Sequence, residues 1–240
     1  MSFAAEGLTK RYPGKDGMHT VFEQLSFSLP DGAFLVVLGR SGVGKSTLLR
    51  VLAGIEKADA GEVLLDGAPR AGAGRDVFFI FQDFNQLFPW MTLEQNLTYA
   101  LRRAKLPEST ARAREALGQV DLLDAAGKYP RALSGGMKQR GALARALALR
   151  SRVLLLDEPF SSLDPITRRQ CGETLLRLWR ARDFTAVFVT HDIGEALSLG
   201  TGIAVLGRAG LSFFDPSAPG LAEDLENALG DGGEKPEYFD

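Results

Sequence analysis

Cysteine is nearly missing: Cys171 is the only one in 240 residues, so no disulfide can close within the chain. No metal-ligand spacing surrounds it, and its helical setting makes it a small packed hydrophobe suited to a reducing compartment. No apolar run approaches the roughly 18 residues a membrane span needs, so the chain is expected not to cross a bilayer unaided. The start, Met1-Ser-Phe-Ala-Ala-Glu6, has neither the basic beginning nor the apolar centre of a signal peptide, which points to a cytosolic chain. A surplus of positive charge is also lacking. The net charge is −2, so no nucleic-acid partner is indicated. That charge is uneven, because seven acids against one lysine over 216–240 leave +4 on residues 1–215. The acidic end reads as a solvated tail with a short amphipathic turn at Leu221, Leu225 and Leu229, or as a regulatory tail. What remains is an ordinary globular composition, 45% apolar and 24% charged, with enough chain for one large or two modest domains.

Within that chain, Gly39, Arg40, Ser41, Gly42, Val43, Gly44, Lys45, Ser46 and Thr47 form G-x-x-x-x-G-K-[ST]. The apolar run 33–38 before it reads as a buried strand, and 48–53 after it as a helix. Glycines at 39, 42 and 44 let backbone N–H groups close around an oxyanion, and the helix start adds unpaired donors and partial positive charge. Lys45 can reach β/γ-phosphates, and Ser46 can offer its hydroxyl to Mg²⁺. Alone, this motif says only nucleoside triphosphate.

The rest of the chain alternates strands and helices. Apolar residues at 22, 25, 27 and 29 predict one buried sheet face with a slip or bulge. Tyr12, before a polar loop, either stacks on an adenine or packs at a strand end, and His19 is expected exposed. Residues 61–67 and 76–81 read as strands. Five of the fifteen Phe fall between 78 and 88; Phe78, Phe79 and Phe81 are assigned to strand and core. Phe84, Phe88 and Trp90 lie beyond the strand end, as local core or as a docking surface. From Thr92 to Leu149 the pattern is helical, with a capping box at Thr92-x-x-Gln95 and Pro107 opening a second helix.

Three further stretches carry chemistry. Leu133-Ser134-Gly135-Gly136-Met-Lys-Gln-Arg140 starts a helix, with Ser134 as N-cap and two glycines permitting close approach to a ligand; taken singly it is a cap or an anion site. Val153-Leu-Leu-Leu156 is a doubly buried strand delivering Asp157 and Glu158 to the edge where α/β sheets bind ligands. Asp157 is placed to hold Mg²⁺, and Glu158 to accept a proton from attacking water. Ser161-Ser-Leu-Asp164-Pro165 caps the next helix. The strand at 185–189 ends at Thr190-His191-Asp192, where His191 is either structural or able to polarise a γ-phosphate.

In series, the P-loop, Gln82, the run 133–140, Leu-Leu-Leu-Asp-Glu-Pro (154–159), Ser-Leu-Asp (162–164) and His191 resemble the ATP-binding-cassette (ABC) family, to about Leu206. The resemblance implies an α/β fold: a P-loop NTPase core with a mainly parallel sheet, an N-terminal antiparallel β subdomain and an inserted helical subdomain near 88–152. It divides the chain into a cassette over 1–215 and a tail over 216–240. It implies that Tyr12 stacks on adenine and that Lys45 and the loop amides hold phosphates. Ser46, Gln82 and Asp157 would surround Mg²⁺, Glu158 would be the general base, and His191 would contact the γ-phosphate. Ser134, Gly135 and Gly136 would meet the γ-phosphate of ATP bound to a second subunit, making a homodimer around two ATPs.

A lone cassette of this kind resembles the ATPase subunit of a prokaryotic importer. Its transmembrane permease subunits would dock near Phe84–Trp90, with an extracytoplasmic solute-binding protein as an indirect partner and no nucleic acid. The expected location is the cytoplasmic face of the inner membrane. The run Phe-Gln-x(5)-Phe-Pro-Trp-Met-Thr-Leu-x-x-Asn is similar to the nitrate/sulfonate/taurine branch, so a small anionic solute is expected. Asp-Phe-Asn-Gln-Leu-Phe-Pro also echoes the polar amino-acid branch, and a lipid-trafficking or signalling complex is a further alternative. Thr201-Gly202 stands where the family usually shows Asp-Arg, and Gly141 replaces an aliphatic residue, weakening its helix by up to ~1 kcal/mol. With so short a tail, no separate regulatory domain is expected.

Overall fold

The computed structural model describes residues 2–14, 17–70, 72–83, 86–182, 184–207 and 210–230. In chain order the first elements are β1 (Ser2–Gly14), β2 (Gly17–Pro30), β3 (Phe34–Leu38), α1 (Lys45–Ala53), β4 (Ala60–Leu65), β5 (Ala68–Pro69) and β6 (Val77–Ile80). There follow α2 (Leu93–Arg103), α3 (Ser109–Gln119), α4 (Gly135–Leu149), β7 (Val153–Asp157) and α5 (Pro165–Arg182). The chain closes with β8 (Thr185–Thr190), α6 (Ile193–Leu199), β9 (Gly202–Gly207), β10 (Gly210–Phe214) and α7 (Leu221–Gly230). These elements form two units, Met1–Gly74 with Asp183–Asp240, and Arg75–Arg182.

In the first unit, β2, β1, β4 and β5 make an antiparallel sheet. Its inner face takes Phe22, Leu25, Phe27 and Leu29, all buried. The slip expected between 22 and 25 is a bulge: Gln24 turns to φ 48, and its N–H is met by Thr9 Oγ1 at 3.1 Å. The hairpin from β4 to β5 turns on Asp66 and Gly67, both at positive φ, as a two-residue turn between right-twisted strands requires.

The second sheet of this unit has β3 at its centre, parallel to β8 and to β9, with β10 antiparallel on β9. Every residue of β3 and β8 is buried, which is why both read as unbroken apolar runs. Helix α1 packs against β8, α6 against β3 and β8, and α7 against α6 and β9. Leu48, Leu49 and Leu52 of α1 are buried, each worth about 1.5–3 kcal/mol.

Thr201 is no defect. Its backbone N–H and hydroxyl both donate to the Phe34 carbonyl, and its Oγ1 accepts from the Phe34 N–H, so it fastens the start of β9 to the start of β3. The stripe at Leu221 and Leu225 belongs to a ten-residue helix with both leucines buried, so 221–230 is packed protein and not a solvated end. Residues 231–240 of the acidic tail lie outside the described residues.

In the second unit, β6 and β7 pair in parallel, and α2, α3 and α4 pack on one another, with α4 also against α5 and β6. Thr92 and Gln95 form the reciprocal capping box. Helix α3 begins at Ser109, two residues after Pro107, because Glu108 sits in the left-handed region. Gly141 also has a positive reason. A Cβ there would lie 2.8 Å from Leu93 Cδ1, so the glycine lets α2 and α4 close on Leu93. The propensity loss of about 1 kcal/mol is outweighed by about 1.5–3 kcal/mol from burying that leucine. Cys171 is a buried packing residue, its thiol pushed up by burial.

Phe81 departs from expectation. Strand β6 stops at Ile80, so Phe79 is buried and Phe78 half-buried, while Phe81 is exposed and packs at a tilt against Phe79, ring centroids 4.4 Å apart.

Candidate active site

The first unit carries the phosphate loop. β3 stops at Leu38 and the chain turns through the loop into α1. At Gly39 a Cβ would lie 2.9 Å from the Leu206 carbonyl and from Val43 Cγ1. Gly44 sits at φ 110, and a Cβ there would be 2.3 Å from Val21 Cγ1 of β2, so conformation and space both demand glycine.

No side chain caps α1, whereas the N-caps of α2, α4 and α6 (Thr92, Ser134 and Asp192) each accept a backbone N–H. An uncapped helix start keeps its donors for a ligand. Lys45 is 5% exposed, and its ammonium donates to the carbonyls of Gly39 at 2.8 Å and Arg40 at 3.1 Å. The charge is therefore held at the loop. Arg40, Ser41 and Gly42 are exposed along its rim, and Val43, Ser46 and Thr47 are half-buried.

Tyr12, near the end of β1, is half-buried and braced. Its hydroxyl donates to the Glu56 carboxylate, and the Lys10 ammonium lies 5.0 Å from its ring centroid. Lys10 also pairs with Glu56 at 3.2 Å and donates to the Lys57 carbonyl. Burial, then the bond to Glu56, pushes the phenol pKa up. His19, opposite Tyr12 in the hairpin, is exposed as expected. His191 is exposed at the end of β8, on a backbone fixed from both sides. Thr190 donates its hydroxyl to Glu195 and accepts from the Asp192 N–H at 3.0 Å, while Asp192 accepts from the Glu195 N–H.

The second unit carries the carboxylates. The β6–β7 register sets Ile80 beside Leu156, which brings Gln82 level with Glu158 just past the strand ends. Asp157 is buried; Glu158 is half-buried with φ 41, a strained left-handed turn for a non-glycine. Ser161 holds that turn. Its N–H and hydroxyl both reach the Glu158 carbonyl, at 3.2 and 3.0 Å, and its hydroxyl accepts from Gln82 Nε2 at 3.3 Å. Sequence reasoning placed Ser161 only in the run that caps the next helix and missed this brace, because a bond to Gln82, 79 residues away, leaves no local signal.

Asp164 caps α5 by accepting from the Thr167 N–H at 3.0 Å, and Thr167 hydrogen bonds hold its carboxyl below the usual range. Ser134, exposed, caps α4 through the Met137 N–H. Gly136 also has a packing reason within its own unit. It is buried, and a Cβ would lie 2.4 Å from Thr167 Cγ2 and 3.6 Å from Cys171 Sγ. That glycine lets α4 dock on α5.

Phe88, Trp90 and Tyr99 form an aromatic cluster, with Phe88 5.5 Å from Trp90 and 5.4 Å edge-on to Tyr99. Trp90 is 68% exposed, so the cluster faces outward; Phe84 lies outside the described residues. Among the described residues, no three His, Cys, Asp or Glu side chains gather as a metal cage. The donor set named for Mg²⁺ is a hydroxyl, an amide and one carboxylate, which fits a hard cation that takes its remaining oxygens from phosphate and water.

A buried lysine on a glycine loop at an uncapped helix, with an acidic strand end, defines a P-loop nucleoside-triphosphate-binding protein. The sequence pattern of the family described as ABC transporter matches residues 22–161, and the chain belongs to that family. An aliphatic sulfonates import ATP-binding protein, SsuB, of Pectobacterium atrosepticum is 42% identical over 210 residues, 87% of this chain and 76% of that protein. SsuB 1 of Xanthomonas axonopodis pv. citri is 44% identical over 208 residues, 85% of this chain and 82% of that one. A taurine import ATP-binding protein, TauB, of Chromobacterium violaceum is 41% identical over 207 residues, covering 85% and 78%. The ATP-binding cassette MJ0796, solved as a dimer in a post-hydrolysis state with ADP and phosphate, is similar at a TM-score of 0.79 and 30% identity. That match covers 90% of this chain and 100% of MJ0796.

Proposed function

We propose that this chain is the ATP-hydrolysing subunit of a membrane importer for small sulfonates or taurine-like anions, working as a pair of copies around two ATPs. The observation that carries the nucleotide half is the buried Lys45 ammonium, held by two loop carbonyls beside an uncapped helix. Lys45 exchanges those carbonyls for phosphate oxygens, and the N–H groups of the 39–47 loop close around them. Tyr12, braced by Glu56 and Lys10, offers its ring to adenine.

Ser46, Gln82 and Asp157 are the residues to hold Mg²⁺, which when bound neutralises charge on the β- and γ-phosphates. Glu158 takes the proton of the attacking water, and His191 steadies the γ-phosphate. Gln82 and Glu158 act together because Ser161 touches both. Ser134, Gly135 and Gly136 of a second copy complete the site, which makes ATP the link between pairing and turnover.

The importer reading is supported by the sulfonate and taurine relatives at 41–44% identity. Among the described residues no helix is long and apolar enough to cross a membrane. Attachment to the inner membrane therefore falls to permease subunits, and the exposed Phe88–Trp90–Tyr99 cluster is the surface offered to them. Glu158→Gln should keep ATP binding, lose turnover by about 10²–10⁴-fold and trap an ATP-bound pair in sedimentation. Parental hydrolysis by that variant would show that Glu158 is not the base.

A further inference from the structure

Gln139 is 3% exposed, and neither its Oε1 nor its Nε2 has a hydrogen-bonding protein partner among the described residues. Its neighbour Arg140 is by contrast satisfied, donating to the Val120 carbonyl at 2.8 Å. A buried amide left unpaired bears its full desolvation cost, and native interiors rarely tolerate one without a use for it.

The location supplies that use. Gln139 lies one turn along α4 from Gly136 and lines a small cavity with Ile80, Leu156, Pro159 and Cys171. Ile80 ends the strand leading to Gln82, Leu156 and Pro159 flank Asp157 and Glu158, and Cys171 sits under Gly136. The cavity thus underlies all three motifs of the second unit. Its volume is about 10 Å³, at the lower edge of what a single water needs, and apart from Gln139, Arg140 and the Cys171 thiol its lining side chains are apolar. Pairing this amide therefore requires the protein to move. The adjacent turn is the element with a reason to move, since Glu158 is held at φ 41.

We infer that Gln139 is a positioning residue whose amide bonds to a backbone group of the Glu158–Phe160 turn only in the ATP-bound pair. That bond ties the start of α4, which carries Ser134, to the turn that carries the general base. In the arrangement described, the amide has no protein partner among the described residues and the turn is strained, so both are relieved together when ATP draws two copies into contact. This rests on the proposed cassette function and adds a coupling within one copy that the family motifs do not specify.

The test uses the full chain with ¹⁵N-labelled glutamine side chains, free and trapped with ATP as the Glu158→Gln pair. Gln139 Nε2–H should exchange with solvent at least ~5-fold more slowly, and shift downfield, in the trapped pair. An unchanged resonance in a pair that does form overturns this inference alone, whereas failure to form the pair overturns the function beneath it. Gln139→Met keeps the volume without hydrogen bonding. It should raise the melting temperature of the nucleotide-free chain and lower kcat at least ~5-fold, with the KM for ATP unchanged. Parental kcat in Gln139→Met would reduce Gln139 to a packing residue.

Discussion

Gly136→Ala separates two reasons for the same glycine. The new Cβ would stand 2.4 Å from Thr167 Cγ2, whereas ordinary contact begins near 3.4 Å, so α4 or Thr167 must give by about 1 Å. Thr167 is β-branched in a helix and rotates with difficulty, and its hydroxyl is engaged with Asp164. Overpacking of this kind costs about 1–3 kcal/mol, against roughly 1 kcal/mol gained by replacing a helical glycine with alanine. The net loss of stability is therefore small, about 0–2 kcal/mol. The functional loss is larger, because displacing a catalytic constellation by 1 Å can cost about 10²-fold. Urea unfolding and steady-state ATP hydrolysis measure the two. Thr167→Ser removes Cγ2 and keeps the hydroxyl on Asp164, so the double variant should recover most of the activity. If Gly136→Ala is equally inactive with Ser at 167, the glycine serves the ligand and the docking argument is wrong.

Two further outcomes follow from the surface and from charge. Phe88→Ser with Trp90→Ser should weaken co-purification with the membrane subunits and leave ATP affinity unchanged; full assembly would return the aromatic cluster to local packing. The Asp164 carboxyl is held below its ordinary value of 3.8 by Thr167, so its contribution to stability is present above 3.8 and is lost as pH falls through the lower folded-state value. Asp164→Asn should flatten the acid side of the stability–pH curve, read by urea midpoints from pH 5 downward.

The doubly buried strands were legible because burial on both faces leaves no room for polar residues; β3, β7 and β8 read as apolar runs for that reason alone. The bulge at Gln24 was visible in the spacing of Phe22 and Leu25. The caps Thr92, Ser134 and Asp164 were legible too, since capping is a local bond over three residues. What stayed hidden depends on contacts distant along the chain. Gly136 answers to Thr167, Gly141 to Leu93, and Thr201 to Phe34, and no local pattern announces those pairs. Phe81 was assigned to the core because the apolar run continues through it, although β6 ends one residue earlier. The chemical groups themselves were legible; the braces that aim them, Glu56 on Tyr12, Ser161 on Gln82 and Glu195 on Thr190, were not.

The central claim is that Lys45 of one copy and Ser134 of another serve the same ATP. The most direct measurement is ATP hydrolysis per subunit as the protein is diluted, with sedimentation reporting the monomer fraction. Below the pairing affinity, each tenfold dilution should lower specific activity about tenfold by mass action. Ser134→Arg should abolish activity at every concentration while nucleotide still binds at Lys45. A specific activity that stays constant into the monomeric range, and is untouched by Ser134→Arg, would contradict the shared site.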